Sequence, residues 1–414
     1  MTFTAPAGDL PDLFDPVTID DPYPAYGELR RVGPVYDERN QCWLLARHAD
    51  VLAALHQPAA LSSQGGYQTL MSGAIGPEHR RGRGRAIGLD DAIGSRVLIA
   101  SDPPVHTELR RLVSRPFTRR AIAGWQPRVA ALADQIVDQL ADRACEEPID
   151  FVAELAVPLP VTVIAEILDI PADRRDDFRR WSDALVGTLG GDADLDLARS
   201  DVAEMVAYFV DITDRRRTAP GEDLISAIAA PQPDGERLDP FEVVMFCVLL
   251  LVAGNETTTN LLGNLLEALW AHPDQAELLA QDPAAVPAAV EEALRFCGPV
   301  QALARRSTST VDINGTRIPA EEDVLVLFAA ANRDERVFDR PDRFDLQRDT
   351  RDQIALGHGI HYCLGAHLAR LETVEVLRAL RDRRLRLAPA GPAQRTDSPV
   401  LRGFTRLPVV ATPA

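Results

Sequence analysis

The chain has 414 residues, 62 of them acidic and 44 basic, for a net charge of −18 at neutral pH. That balance excludes a general nucleic-acid binder, which needs a dominant cationic face, and it argues equally against docking on an anionic membrane. With 46% hydrophobic and 26% charged residues, the composition is that of a globular protein able to bury a core and enclose a ligand.

The N-terminal stretch MTFTAPAGDLPDLFDP has no basic segment followed by an apolar one, so no secretory leader is expected. Residues 1 to 24 read as a Pro- and Asp-rich covering loop. Val35 to Ala46 reads as a short hairpin turning near Arg39-Asn40. Residues 62 to 99 hold no convincing periodic element and many glycines. Asp102-Pro103 opens a helix that carries His106 and Arg110 on one face. From Arg128 onward, apolar residues recur at helical spacing over Arg128 to Ala144, Leu159 to Leu168, Asp176 to Leu189 and Leu197 to Arg217. Asp239-Pro240 with Glu242 starts a long apolar helix to His272. Its longest uninterrupted apolar run, Val243 to Ala253, falls well short of the roughly 20 residues that span a bilayer. Ala284 to Phe296 is helical again. Ser307 to Phe328 is strand-like, with Asn314-Gly315 as a hairpin turn. Residues 329 to 362 lack periodicity, and Leu364 to Leu377 reads as a helix. The expected fold is mainly α with a small, mostly antiparallel β region.

Four segments carry chemistry. Leu356 to Glu372, LGHGIHYCLGAHLARLE, places Cys363 at the start of a helix, where free N–H groups favour a thiolate. Gly357, Gly359 and Gly365 allow turns that a Cβ would block. On residue chemistry alone Cys363 is a nucleophile, a zinc ligand, a haem ligand or a small core residue. Inside the long apolar helix, Ala253-Gly254-Asn255-Glu256-Thr257-Thr258 is an interruption, because a carboxylate there is costly unless paired or wet. The Thr257 hydroxyl can reach the Ala253 carbonyl, and Gly254 lets a ligand approach the backbone. His106 and Arg110 suit an anion such as a carboxylate. Glu292 and Arg295 can pair at i,i+3. Five scattered cysteines (Cys42, Cys145, Cys247, Cys297, Cys363) argue against a disulfide framework and for a reducing, cytoplasmic setting.

Taken together these residues resemble the cytochrome P-450 family, the haem-thiolate monooxygenases, in its soluble bacterial form, along nearly the whole chain. Gly357, Gly359, His361, Cys363 and Gly365 match its haem-binding loop, followed by Leu368-Ala369-Arg370. Ala253, Gly254, Glu256 and Thr257 match its oxygen-activation helix. Glu292 and Arg295 match its E-x-x-R pair, with Arg343 in Arg340-Pro-Asp-Arg-Phe344 as third member, and Ala331-Asn332-Arg333-Asp334 is also familiar. The resemblance implies a single domain over 1–414, with a haem-binding loop at 356–372, an oxygen-activation helix at 239–272 and a substrate-entry loop at 62–99. It implies haem b with Cys363 as axial thiolate, a ligand that favours O–O cleavage. His106, Arg110, Arg305 and His361 would hold the propionates. Glu256 and Thr257 would deliver protons for oxygen activation. Glu292, Arg295 and Arg343 would be structural. Leu356 departs from the aromatic, commonly Phe, that packs beside the thiolate in the family.

The implied reaction inserts one oxygen atom of O2 into a hydrophobic small molecule by hydroxylation or epoxidation, in secondary metabolism or catabolism. The alternative is an atypical oxidation such as oxidative coupling or dealkylation. Two further readings stay open: a zinc site from His358, His361, Cys363 and His367, and a haem protein that only binds or senses ligands, against which the Glu256–Thr257 pair argues. The family comparison gives Ile93, Leu185, Leu250, Ala253, Val300, Ala302, Leu303 and Leu401 as pocket-lining residues. Electrons would come from another protein, because the chain has no flavin fingerprint, and the resemblance implies that this is a ferredoxin with its reductase. The run His79 to Arg85 reads either as a solvated loop or as one that attracts an anionic substrate or an acyl carrier protein bearing one. The expected protein is a monomer.

Overall fold

The computed structural model describes residues 10–71, 96–144, 147–190, 195–231, 235 and 237–413. The principal strands are β1 (Val35–Asp37), β2 (Cys42–Leu45), β3 (Leu61–Ser62), β4 (Ile149–Asp150), β5 (Ala302–Ser307), β6 (Val311–Ile313), β7 (Thr316–Ile318), β8 (Asp323–Leu327), β9 (Leu385–Pro389) and β10 (Pro408–Pro413). One sheet runs β1-β2-β8-β5-β3 and a second runs β4-β10-β9. Pairing is antiparallel except between β2 and β8, which are parallel. The expected hairpin forms between β6 and β7, with Asn314 and Gly315 in its turn at φ 49 and 91.

The principal helices are α1 (Ser63–Met71), α2 (Val105–Val113), α3 (Gln126–Ala144), α4 (Pro158–Ile167), α5 (Arg175–Gly190), α6 (Leu195–Thr218), α7 (Pro240–Ala271), α8 (Ala285–Cys297) and α9 (Ala366–Asp382). Their bounds follow the apolar periodicity to within a few residues. The α7 start is built as its sequence predicts: Asp239 Oδ1 accepts from the Glu242 N–H at 2.8 Å, and Glu242 Oε2 accepts from the Asp239 N–H at 2.7 Å. By length and hydropathy α7 is apolar enough to cross a membrane. Here its apolar surface packs on α4, α5, α6, α8 and α9, and a helix apolar all round is also what a protein core demands.

Two local expectations are corrected. The segment 62–99 contains a helix, α1. The Ser62 hydroxyl accepts from the Gly65 N–H at 2.9 Å and caps it. A Cβ on Gly66 would lie 2.2 Å from the Ala304 carbonyl oxygen, so the glycines let α1 lie flush on β5. Those same glycines erase the helical signal from the sequence. Residues 72–95, including Ile93 and the arginine-rich run 79–85, lie outside the described residues. Asp102 does not cap α2. Its carboxylate accepts from the Ser62 hydroxyl and from the Ser63 N–H at 2.8 Å, tying α1 to the chain before α2.

The aperiodic stretch 329–362 is held by polar bonds. Asn332 Oδ1 accepts from the Ile354 N–H at 2.8 Å, and Asp334 accepts from the His48 N–H at 2.9 Å. The Arg333 guanidinium lies between the Tyr23 and Phe296 rings, 3.4 and 3.7 Å from their centroids.

Candidate active site

α7 presents one or two residues per turn to a cavity of about 300 Å³: Phe246, Leu249 and Leu250, Ala253 and Gly254, Thr257 and Thr258, then Leu261. This i, i+3, i+4 stripe is the helix's second apolar face. Its other face, with Val244, Cys247, Leu251 and Leu262, is buried in the core. The opposite wall is the loop before α9, with Leu356, Gly357, His361, Cys363 and Gly365 all at the cavity. Gly357 and Gly359 adopt φ of 75 and 70, which a side chain would strain. Gly365 does not: its φ is −80 and no protein atom lies near its Cβ position. The glycine at 254 also serves packing rather than ligand approach alone, since a Cβ there would meet Ile164 Cδ1 of α4 at 2.8 Å.

Cys363 stands three residues before α9. Burial pushes its thiol up, against a hydrogen bond from Gly365 and the positive fields of Arg110 and Arg370. The expected helix-terminus effect is therefore present but outweighed by desolvation. The Ala253 carbonyl accepts from the Thr257 hydroxyl at 2.7 Å. Glu256 is half-buried beside the cavity rather than in its lining, and burial raises its carboxyl above the ordinary range.

Four nitrogen-bearing side chains converge on one side of the cavity: His106 and Arg110 of α2, Arg305 of β5 and His361. The two imidazoles stand 4.2 Å apart, and the Ser63 hydroxyl lies 2.9 Å from His361 Nε2. Burial and the neighbouring His106, Arg305 and Arg110 drive the His361 imidazole down to about 3. Burial lowers Arg305 to about 10 and lowers His106 and Arg110 as well. His106 is 2% exposed, yet among the described residues neither ring nitrogen has a partner. Arg110 has no carboxylate partner among the described residues. A buried cationic cluster without its anion is unfavourable by itself and fits a bound group carrying carboxylates. Arg306, the neighbour of Arg305, turns away to Asp323 at 3.0 Å.

The Glu292–Arg295 pair is fully buried and bidentate, with both bonds at 2.7 Å. Arg295 also donates to the carbonyls of Asn332, Pro341 and Arg343. The expected third member is corrected. The Arg343 side chain points to solvent and pairs with Asp274 at 2.9 Å, and only its backbone carbonyl joins the network. The side chain that reaches Glu292 is Arg348, at 3.2 Å.

Of the expected pocket residues, Leu250, Ala253, Val300 and Leu303 line the cavity. Ala302 does not: strand alternation turns it to the other side of the sheet, packed with Leu44, Leu325 and Leu327. Leu401 does not reach the cavity either, and pairs with Val300 through a backbone bridge. Leu185 lies on α5, with its side chain outside the described residues. Sequence reasoning missed Tyr67, Ile164, Phe246, Leu249 and Glu372. Glu372 is 1% exposed and lines the cavity, and burial pushes its carboxyl up to about 8 against a hydrogen bond from Thr258. A zinc centre is not formed, because among the described residues no three His, Cys, Asp or Glu side chains converge. His358 lies edge-on to His56 instead, 4.7 Å away.

A half-buried cysteine facing an apolar helix across a cavity rimmed by arginine and histidine fits a haem-thiolate site. The comparisons agree. The cytochrome P450 family model matches residues 202–399. The chain is 39% identical to the vitamin D(3) 25-hydroxylase of Pseudonocardia autotrophica, over 100% of this chain and 99% of that protein. It is 37% identical to the 6-deoxyerythronolide B hydroxylase of Saccharopolyspora erythraea, over 97% and 98%. A Bacillus megaterium cytochrome P450 crystallised with corticosterone superposes with a TM-score of 0.80 at 32% identity, covering 94% and 98% of the two chains. The chain belongs to the cytochrome P450 family. It is a haem-thiolate monooxygenase that acts with O2 and redox partners on a small organic substrate.

Proposed function

We propose that this chain binds haem b through Cys363, takes electrons from a ferredoxin and its reductase in the cytoplasm, and hydroxylates or epoxidises a bulky hydrophobic substrate of steroid or polyketide size. The observation that carries the substrate class is the apolar wall formed by Leu98, Ile164, Phe246, Leu249, Leu250, Val300 and Leu303. Such a wall selects by shape and desolvation, not by charge. The names of the relatives, a vitamin D(3) 25-hydroxylase and a 6-deoxyerythronolide B hydroxylase, point the same way.

The residues present fit the prosthetic group. Cys363 would ligate its iron, and His106, Arg110, Arg305 and His361 would hold its propionates, with Ser63 fixing His361. The haem supplies the activation of O2. The protein's part is to exclude water with the apolar wall and to bring protons to the oxygen. Thr257 lines the cavity and would hold the last proton donor, with Glu256 behind it. A carboxyl raised by burial is a better proton source near neutrality than an exposed one.

The test is a ligand panel on the purified holoprotein, scored by the spectral shift that follows displacement of water from the iron. Corticosterone, vitamin D(3) and a macrolactone should shift the spectrum at micromolar concentration. Small aromatic acids should not. A shift with benzoate alone would reverse the substrate assignment.

A further inference from the structure

We propose that Ser182 of α5 and Asn255 of α7 form a positioning pair, which sets the rotation of α7 where it supplies protons to oxygen. The inference rests on the roles proposed above for Glu256 and Thr257. Neither Ser182 nor Asn255 lines the cavity. Asn255 sits between Gly254 and Glu256, on the face of α7 turned away from the cavity, and is 4% exposed. An amide there is unfavourable unless hydrogen-bonded. Its Nδ2 donates to Ser182 Oγ at 2.9 Å, and Ser182 is fully buried.

One turn further along α7, the buried Thr259 hydroxyl donates to the Ala156 carbonyl at 2.8 Å and lies 3.3 Å from Asn255 Oδ1. The back of α7 is thus held by directional bonds to two separate elements, within four residues of Thr257. On the adjoining face the contact is apolar: Gly254 meets the tip of Ile164, which resists compression but does not define an angle. Successive helix residues are 100° apart, so a small turn about the α7 axis swings Thr257 across the cavity.

α5 is itself latched. Arg180, two residues before Ser182, bridges to Asp177 at 3.1 Å and to Asp201 and Glu204 of α6, the last at 2.6 Å. A displacement of the α5–α6 pair would therefore reach Asn255 through Ser182. The pair is a positioning device, not a catalytic one, since it touches neither the cavity nor the reacting atoms.

The test uses the full-length holoprotein and O2 as the only probe, so that no substrate need be known. Photoreduced protein is mixed with oxygenated buffer, in H2O and in D2O. Its return to the ferric state and the hydrogen peroxide released are followed. Ser182→Ala and Asn255→Leu should each change the reoxidation rate roughly three- to tenfold, the equivalent of one neutral hydrogen bond. They should alter the solvent isotope effect in the same direction as Thr257→Ala. The double variant should be no worse than either single one, and Ser182→Thr, which keeps the hydroxyl, should behave as wild type. Hydrogen exchange of the segment 250–260 in the holoprotein should rise in Ser182→Ala, a readout independent of turnover. If Asn255→Leu does not fold, Ser182→Ala and Ser182→Thr carry the comparison alone. Reoxidation and isotope effect unchanged in Ser182→Ala, while Thr257→Ala differs from wild type, would overturn the pair and leave the proton-delivery reading standing. No effect in Thr257→Ala would overturn that reading and the pair with it.

Discussion

Around Cys363 and around the substrate wall, the molecule solves two different problems. The chain behind the cysteine loop is irregular, yet its backbone is fixed by buried charge. Glu292, Arg295 and Arg348 share one network, and Asn332 and Asp334 hold backbone N–H groups. The wall in front is regular helix and strand, and its apolar side chains have no directional partners. Buried ionic networks specify one geometry at a high desolvation cost, while apolar packing tolerates changes of shape. An iron ligand must be held to a fraction of an ångström. A binding wall must instead be free to differ between relatives that hydroxylate different molecules.

The largest effect expected on the rigid side is at the ligand itself. Cys363→Ser should abolish both turnover and the long-wavelength absorbance of the reduced carbonyl complex, because a serine hydroxyl is a harder and far less acidic ligand. A normal carbonyl spectrum in that variant would show that another residue ligates the iron.

Next is the network. Glu292→Gln leaves Arg295 buried without its counter-charge and should cost about 3–5 kcal/mol. Arg348→Gln should cost less, because Glu292 keeps the bidentate Arg295. Arg343→Gln should stay within about 0.5 kcal/mol, since its side chain is exposed. Denaturant unfolding of the three variants would give that order. A loss at Arg343 equal to that at Arg348 would contradict the assignment of the third member.

That assignment shows where the sequence stops being informative. The motif segments name Glu292 and Arg295 because a helix fixes their spacing. The third arginine comes from an aperiodic stretch in which 340, 343 and 348 are equivalent on paper, and only the path of the chain selects Arg348. Ala302 and Leu303 pose the same problem in a strand: one step in register exchanges core for cavity. The α7 cap and the interruption from Ala253 to Thr258 were legible, because both are local patterns, while Phe246 and Leu249 of the same cavity stripe read only as apolar helix. α1 was hidden by Gly65 and Gly66, whose reason is the strand they lie against. Asn255 was visible as an interruption, but its partner Ser182, in α5, was not.

At the boundary between the two regions lies the cluster His106, Arg110, Arg305 and His361. Removing one propionate contact should forfeit roughly 1.5–3 kcal/mol. His106→Phe and Arg110→Leu should therefore each give partial haem loss, and together much more. Titrating apoprotein transfer to a haem acceptor would measure it. Full retention in the double variant would mean that the cluster holds something other than the propionates.

The smallest effect sharpens the contrast most, because Glu372 belongs to both regions: it is carried by α9 behind the cysteine loop and opens on the cavity. Its carboxyl is raised from 4.5 to about 8, first by burial, with only Thr258 opposing. A group raised on folding contributes its full stability below the unfolded value and loses it as pH climbs through the folded one. Wild-type protein should thus lose stability between about pH 4.5 and 8 from this group. Glu372→Gln keeps the shape and a hydrogen bond to Thr258 but cannot ionise. Its stability should be flatter over that window and should exceed wild type at pH 8. Melting profiles of the two proteins from pH 5 to 8 would decide it. If both curves fall in parallel, Glu372 is already ionised in the folded protein, and a cation or water in the cavity compensates its charge.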